Sequence, residues 1–175
     1  MTNPRFDVAG IGNAIVDVLT QTDDAFLERE GLAKGAMTLV DEAQAAAVYD
    51  KAGPAMECSG GSAANTIAVM ARLGAKCAFM GKVKDDAFGR IFGHDIRSLG
   101  VHFDTAAAAD GPATANCLVL VTPDAQRTML TYLGASIHLK PADVDLGVIK
   151  DARVTYLEGY LWDPPRAKDA IRLCA

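Results

Sequence analysis

Helix-like and strand-like segments alternate through the middle of the sequence, and this alternation constrains the fold more than any other feature. The first helix-like segment covers residues 62–73, where small and apolar residues recur at helical spacing and Gly74 ends the run. A strand-like run (76–81), a second helix-like segment (85–99) and a third strand-like run (101–105) follow. Strands that alternate with helices are typical of a parallel sheet covered by helices. The sequence therefore predicts an α/β fold with a mainly parallel sheet flanked by helices.

Two further strand-like runs then interrupt this alternation. They span residues 113–121 and 127–133, and the residues between them include Pro123 and Asp124, which are both favoured in turns. This pattern predicts an antiparallel β-hairpin inserted into the α/β chain. Closing elements of this kind exclude water from a reaction site. We therefore expect the hairpin to form a lid over the ligand-binding edge of the sheet.

The charge balance and the absence of familiar signals exclude several classes of protein. With 22 acidic and 17 basic residues the formal net charge is -5, which offers no general attraction to nucleic acid or to an anionic membrane. The sequence shows neither a signal peptide nor an apolar run long enough to span a bilayer, so we expect a cytoplasmic protein. The four cysteines and three histidines lack metal-binding spacings, so we predict neither a metal site nor a disulfide framework.

Two common nucleotide-binding motifs also fail. The segment 10–15 begins like a dinucleotide-binding fingerprint, but Ile15 stands where the third glycine is needed and a strand rather than a helix follows. The phosphate-binding pattern G-x-x-x-x-G-K-[ST] does not occur. The chain is therefore predicted to be neither a dinucleotide-binding protein nor a P-loop protein.

Polar residues follow the first predicted strand and precede the first long helix. Asn13 and Asp17 place an amide and a carboxylate near the C-terminal edge of the sheet, where α/β folds bind ligands. Gly60 and Gly61 allow a ligand to approach the backbone, and the helix start beyond them exposes free N–H donors. Two simpler interpretations stay open here. Asn13 could be a turn residue with Asp17 solvated, and the glycines could form a loop capped by Ser62.

These residues form a pattern that resembles the ribokinase-like, or phosphofructokinase B type, family of carbohydrate and nucleoside kinases. The pattern consists of Gly12-Asn13-x-x-x-Asp17, Gly60-Gly61-x-x-x-Asn65, Gly74, Gly81 and Asp85-Asp86-x-x-Gly89. Segments 12–17 and 152–159 resemble the adenosine kinase branch in particular. The resemblance implies that residues 1–175 are the N-terminal part of a single kinase domain, with lid segments at about 14–20, 37–40 and 113–133.

The resemblance also implies which residues bind the acceptor. Asp17 would hold ring hydroxyls of a sugar, while Asn65 and the backbone of Gly60 and Gly61 would hold them from the other side, supported by Asn13. A carboxylate accepts hydrogen bonds from a vicinal diol, and an amide both donates and accepts, which suits ribose. The remaining predicted contacts come from the helix start and from one face of the lid, namely Ser62, Asn116, Met129, Thr131 and Leu133.

Two charged residues complete the predicted site. Arg127, at the return of the hairpin, matches an arginine that points toward the transferred phosphate in adenosine kinase relatives. The alternative is an ordinary turn ion pair between Arg127 and Asp124. Glu158 matches a sugar-contacting glutamate of ribose-specific relatives, whereas adenosine kinase relatives have a small residue there. The apolar lid favours a purine over a bare pentose, although a lid that forms a homodimer interface would be equally apolar.

The catalytic aspartate of the family lies in a Gly-Ala-Gly-Asp segment, which does not occur in these 175 residues. Because the last helical pattern is still in register where the sequence stops, we expect the domain to continue. The leading hypothesis is an ATP-dependent kinase of purine salvage that phosphorylates the 5′-hydroxyl of adenosine, with ATP and Mg²⁺ implied by the resemblance alone. Two alternatives remain: ribokinase or another sugar kinase of the family, and a non-catalytic fragment that binds a nucleoside or sugar.

Overall fold

The computed structural model describes residues 4–163 and 165–174. Its helices and strands are, in chain order, β1 (Phe6–Ile11), β2 (Ile15–Gln21), α1 (Asp24–Arg29), β3 (Met37–Leu39), α2 (Glu42–Tyr49), β4 (Ala55–Gly60), α3 (Ser62–Arg72), β5 (Cys77–Met80), α4 (Ala87–Ser98), β6 (Ala115–Val121), β7 (Arg127–Tyr132), α5 (Leu146–Lys150), β8 (Ala152–Leu157) and α6 (Pro165–Cys174). Short 3₁₀ helices occupy Gly134–His138, Pro141–Asp143 and Gly159–Trp162. The bounds predicted for the domain, 1 and 175, lie outside the described residues.

A parallel three-stranded sheet, in the order β5-β1-β8, forms the body of the molecule. Its central strand β1 is almost entirely buried, because apolar clusters form on both sides of the sheet. Helices α3 and α4 belong to one of these clusters, and α5 and α6 belong to the other. The predicted α/β class, with a parallel sheet between helices, is confirmed.

The second sheet has five strands in the order β3-β7-β6-β2-β4, and we call it the lid sheet. The predicted hairpin is present, since β6 and β7 pair antiparallel. The sheet as a whole is mixed, because β2 joins β6 in parallel and β3 joins β7 in parallel. Strand β4, antiparallel to β2, completes the sheet on the other side. The sheet thus brings together segments that are far apart in the sequence.

The two faces of the lid sheet meet different surroundings. Val16, Val18, Leu118, Leu120 and Leu130 lie on the face that packs into the core formed with helices α1 to α4. Because side chains alternate along a strand, the intervening residues of β2, β6 and β7 point away from this core. The opposite face of the sheet is therefore left open toward the C-terminal ends of β1 and β8.

One sequence prediction of a strand was wrong. Residues 101–105 make only a single bridge, between Ala78 and His102, in the part of the chain that the structure describes. Val101 and Phe103 are buried, and Phe103 packs against Phe79 and Phe92, so the apolar pattern reflects core packing. The apolar alternation is too short to support a further ladder of hydrogen bonds.

A buried ion pair ties β5 to the segment before α5. The Lys82 ammonium donates to the Asp143 carboxylate at 2.7 Å and to the carbonyl of Ala106 at 2.9 Å, and both charged side chains are less than a tenth exposed.

No helix among the described residues is long and apolar enough to cross a membrane.

We expect Asp143→Ala to destabilise the fold by about 3 kcal/mol, because it leaves the Lys82 ammonium buried without its counterion. Chemical denaturation measures this loss. Adding Lys82→Met to the same variant removes the unpaired charge and is expected to restore most of the stability. Equal stabilities for Asp143→Ala and the unchanged protein would contradict the role of this ion pair.

Candidate functional site

A cavity of about 590 Å³ lies between the open face of the lid sheet and the C-terminal ends of β1 and β8. Its volume is within the range of small-molecule binding pockets. Its lining residues are Asn13, Ile15, Asp17, Met37, Leu39, Gly61, Ser62, Asn65, Cys117, Met129, Thr131, Leu133, Ile137, Glu158, Tyr160 and Asp163. Nine of these were predicted from the sequence.

Two consecutive glycines allow the polar floor of the cavity to form. A Cβ added at Gly60 would lie 2.3 Å from the Asp17 carboxyl carbon, and Gly60 is opposite Ile15 in the sheet, so the Asp17 carboxyl group covers Gly60 on the cavity face. Gly61 has a φ of 98° and would place a Cβ 2.4 Å from the carbonyl oxygen of Asn13. A side chain at either position would displace the floor. The glycine pair therefore serves close packing between β2, β4 and the start of α3.

Asn13 contributes an acceptor without a partner to this floor. The residue is 4% exposed, and no hydrogen-bond donor in the described structure reaches its side-chain oxygen Oδ1. An unsatisfied buried acceptor is destabilising, and buried polar groups in proteins are nearly always paired. Because Asn13 lines the cavity, a turn of its amide toward the cavity would let a hydroxyl of a bound molecule donate to this oxygen.

Asp17 presents its carboxyl group to the cavity from β2. Burial raises its pKa from 3.8 to about 6, because the charged form loses contact with water. The lining residues of the cavity include no lysine or arginine that would offset this effect. Above pH 6 the floor therefore carries a carboxylate that lacks full solvation and gains from hydrogen bonds donated by a ligand.

Glu158 joins three segments of the chain at the same floor. Its carboxylate accepts hydrogen bonds from the backbone N–H of Asn13 at 2.5 Å, from the Ser62 hydroxyl and from the backbone N–H of Ala63 at 3.4 Å. Gly12 allows this approach, since a Cβ there would lie 2.8 Å from Oε2 of Glu158. Both carboxylate oxygens of this residue are thus occupied by protein donors.

The opposite wall of the cavity is apolar. Strands β3 and β7 and the segment after β7 supply it, through Met37, Leu39, Met129, Leu133 and Ile137. Thr131 lies opposite Cys117 across the hairpin, and its hydroxyl lies 3.3 Å from the Cys117 sulfur. The cavity therefore has a polar floor and a mostly apolar lid wall.

The sequence prediction placed Asn116 on this wall, and the structure places it elsewhere. Asn116 is opposite Tyr132 in the hairpin, whereas Cys117 is opposite Thr131. Directly opposed residues share a face of a sheet, so Cys117 rather than Asn116 faces the cavity with Thr131. A register one residue off reverses every side chain, and the sequence alone could not fix that register.

Arg127 lies at the start of β7, two residues before Met129, and does not line the cavity. Its side chain is exposed. The alternative of a turn ion pair with Asp124 is not what the structure shows, since Asp124 pairs with Lys34 at 2.8 Å. Neither placement tests whether Arg127 contacts a transferred phosphate, which remains a prediction.

Several lining residues were missed by the sequence analysis. Ile15 could have been found from the alternation with Asp17 along β2. Cys117 required the register of the hairpin, and Ile137, Tyr160 and Asp163 lie in or beside 3₁₀ helices that carry no periodic pattern. Met37 and Leu39 were predicted as part of a lid strand but not as contacts.

The described residues contain no metal-binding cluster, and the cavity is lined by acidic rather than basic groups. Within residues 4–163 and 165–174, no group of three or more His, Cys, Asp or Glu side chains could hold a metal ion. The cavity is lined by the carboxyl groups of Asp17, Glu158 and Asp163 and by no cationic side chain, which suits hydroxyl groups and repels phosphates. The arrangement can bind an uncharged polyhydroxylated molecule with an apolar substituent.

Comparison with known proteins gives consistent relatives. Residues 37–174 match the sequence profile described as pfkB family carbohydrate kinase. A curated relative, fructokinase-2 of Solanum lycopersicum, is 33% identical over 101 residues, which cover 57% of this chain and 31% of the relative. The chain thus spans about a third of the curated relatives that it matches.

Two solved structures are more similar. The adenosine kinase from Sinorhizobium meliloti is 54% identical with a TM-score of 0.88, and the match covers 97% of this chain and 52% of that one. The probable sugar kinase from Rhizobium etli is 51% identical with a TM-score of 0.89, covering 98% and 52%. Adenosine kinase from Schistosoma mansoni, solved in complex with adenosine, is 25% identical with a TM-score of 0.78, covering 90% and 48%.

We predict that Asp17→Asn stabilises the protein at pH 7 and that the gain disappears below about pH 4. The raised pKa of Asp17 means that ionisation destabilises the folded state as the pH rises from about 4 to 6. The gain in the free energy of unfolding at pH 7 should be about 2 kcal/mol, a value that already allows for the open cavity beside the carboxyl group. Urea denaturation at several pH values measures it.

The exposed loop substitution Asp110→Asn removes the same charge away from the cavity and serves as the control. A stability difference between Asp17→Asn and the unchanged protein that stays constant from pH 4 to pH 7 would show that burial does not perturb this carboxyl group.

Proposed function

Because the chain belongs to the pfkB family of carbohydrate kinases, we propose that it is the acceptor-binding part of an ATP-dependent nucleoside kinase. The proposed acceptor is adenosine, phosphorylated on its 5′-hydroxyl. The family and its adenosine kinase branch were predicted from the sequence, and the similarities to adenosine kinases and to a sugar kinase confirm that resemblance. The substrate, the donor and the activity of the whole protein are the subject of the proposal.

The division of the cavity into a polar floor and an apolar wall carries the proposal. A ribose has adjacent hydroxyls that can donate to the Asp17 carboxylate and to the unpaired Oδ1 of Asn13. A purine base has two apolar faces that pack well against flexible methionine and leucine side chains such as Met129 and Leu133. A nucleoside thus matches both sides of the cavity at once.

In this proposal the residues of the chain bind and orient the acceptor. Asp17 and Asn65 would hold the ribose ring, and the lid wall would hold the base, which fixes the direction of the 5′-hydroxymethyl group. The family assigns proton abstraction to the Gly-Ala-Gly-Asp segment, which these residues do not contain. ATP and Mg²⁺ are proposed from family membership alone, and no residue of this chain is assigned to them.

A sugar kinase is the second candidate, because the Rhizobium etli structure and the curated fructokinases are relatives of this chain. The contacts of Glu158 limit what this residue can offer a sugar. Its carboxylate is occupied by the backbone N–H of Asn13, the Ser62 hydroxyl and the backbone N–H of Ala63. Because a carboxylate has about four acceptor positions, these three donors leave about one for a hydroxyl of a sugar.

We further propose a cytoplasmic role in purine salvage for the whole protein.

The open face of the lid sheet extends beyond the cavity through Leu19 and Met56, which are 37% and 69% exposed. A homodimer formed through the lid sheet would cover these side chains. Sedimentation velocity of the whole protein distinguishes a dimer from a monomer.

We expect calorimetric titration of the whole protein to show binding of adenosine at least about tenfold tighter than of ribose or fructose, since neither sugar fills the apolar wall. Asp17→Asn should abolish most of the affinity for adenosine, and Asp110→Asn should leave it unchanged. Binding of ribose or fructose in preference to adenosine would replace the nucleoside with the sugar. Binding of none of these would remove the proposed function.

A further inference from the structure

The motif Asp85-Asp86-x-x-Gly89 has no part in the cavity, yet its second aspartate connects the body to the lid. Oδ1 of Asp86 accepts a hydrogen bond from the backbone N–H of Gly89 at 2.8 Å and so caps the N-terminus of α4. Oδ2 of the same carboxylate accepts from the backbone N–H of Thr114 at 2.9 Å. Thr114 is the residue immediately before β6, where the chain enters the lid hairpin.

Thr114 is completely buried, and its hydroxyl joins the same junction from the other side. It donates to Oδ1 of Asp86 at 2.7 Å and accepts from the backbone N–H of Lys84 at 2.9 Å. Gly89 allows the helix start to sit this close, because a Cβ there would lie 1.9 Å from the carbonyl oxygen of Lys84. The carboxylate of Asp86 and the hydroxyl of Thr114 thus join three places: the start of α4, the backbone at Lys84 and the entrance to the lid hairpin.

The exit of the hairpin is held at the same place. The backbone N–H of Ala135 donates to the carbonyl oxygen of Ala113 at 2.8 Å. Gly134, with a φ of 41°, would place a Cβ 2.2 Å from that same oxygen. Residue 113 is adjacent to Thr114, so the entrance and the exit of the hairpin are both fixed at one point beside the α4 cap.

The position of the cavity wall follows from this junction. Cys117 lies three residues beyond Thr114 on β6, faces the cavity and contacts Thr131 of β7. Strand β6 also pairs in parallel with β2, which carries Asp17 opposite Cys117. A shift of Thr114 away from the α4 cap would therefore move β6, and the lid wall with it, relative to Asn13 and Glu158, the part of the floor that follows β1 and β8.

We propose that Asp86 is a positioning residue for acceptor binding, which acts through Thr114 to set the distance between the lid wall and the floor of the cavity. The proposal rests on the proposed function only for the identity of the acceptor. It assigns a role to a conspicuous motif whose residues do not line the cavity.

The substitution Asp86→Asn separates the two tasks of the carboxylate. Asparagine caps helices as well as aspartate does, so Oδ1 can keep the bond to Gly89. The side-chain nitrogen then faces the backbone N–H of Thr114, and two donors cannot pair. We expect the affinity of the whole protein for adenosine to fall about tenfold, as judged by calorimetry.

A second readout does not depend on any ligand. Cys117 is 7% exposed, and displacement of the lid wall should increase the rate at which iodoacetamide labels it. Peptide mass spectrometry distinguishes this thiol from the other three cysteines. The matched control is Asp145→Asn, because Asp145 caps α5 through one oxygen, at 2.8 Å from the backbone N–H of Gly147, on the side of the body away from the lid.

Faster labelling and weaker adenosine binding in Asp86→Asn, with neither change in Asp145→Asn, support the proposal. Adenosine affinity and Cys117 labelling both within twofold of the unchanged protein would overturn it. If the unchanged protein binds neither adenosine nor a sugar, the proposed function fails, and the labelling rate alone decides the positioning role.

Thr114 provides the rescue test. Thr114→Val keeps the shape and removes the hydroxyl, so it should weaken adenosine binding and speed the labelling of Cys117 as Asp86→Asn does. Thr114→Ser keeps the hydroxyl and should behave like the unchanged protein. If serine and valine give the same loss while the folded fraction, measured by circular dichroism, stays complete, the hydroxyl contact is not what positions the lid.

Discussion

The carboxylate of Glu158 is the interaction on which the rest of the site depends. It is 5% exposed and accepts bonds from the loop after β1 and from the start of α3, while its own chain position is the end of β8. A buried carboxylate is tolerated when several donors surround it. Here the donors are a backbone N–H of the loop after β1 and, at the start of α3, a side-chain hydroxyl and a backbone N–H that has no partner within the helix. One side chain thus joins the end of the body sheet to the floor of the cavity.

The floor and the lid then differ in what they can recognise. The Asp17 carboxyl group is partly removed from water where it faces the cavity, and this burial raises its pKa to about 6. The side-chain oxygen of Asn13 has no hydrogen-bond donor. Both groups gain when hydroxyls of a ligand reach them. The lid wall offers mainly area and shape. Recognition of the polar part of a ligand therefore depends on β2 and on the loops after β1 and β8, while contact with its apolar part depends on the position of the hairpin.

The sequence allowed the body of the fold to be predicted because its signals are local. Helices α3 and α4 have apolar residues at helical spacing and glycines after their ends, and the strand-like run between them, at residues 76–81, corresponds to β5. Strand β4 was missed because Ala55–Gly60 contains no β-branched or aromatic residue and is held in place by pairing with β2. Tertiary contact decided its structure, and no local pattern records that contact.

The same distinction explains the site. Asn13, Asp17 and Asn65 could be predicted because each follows a strand end or a helix start that the sequence marks. The exchange of Asn116 for Cys117 depends on hairpin register, and the buried contacts of Glu158 depend on residues 145 and 95 positions away in the sequence. Arg127 lies at the start of β7, where the predicted hairpin returns, and its contact with a transferred phosphate stays a prediction.

The most direct test of the account is a crystal structure of the whole protein with adenosine. We predict ribose hydroxyls within hydrogen-bonding distance of the Asp17 carboxylate and of Oδ1 of Asn13, with the base between the floor and Met129 and Leu133. A nucleoside bound with its base toward Asp17 and its ribose toward the lid, or bound outside this cavity, would contradict it.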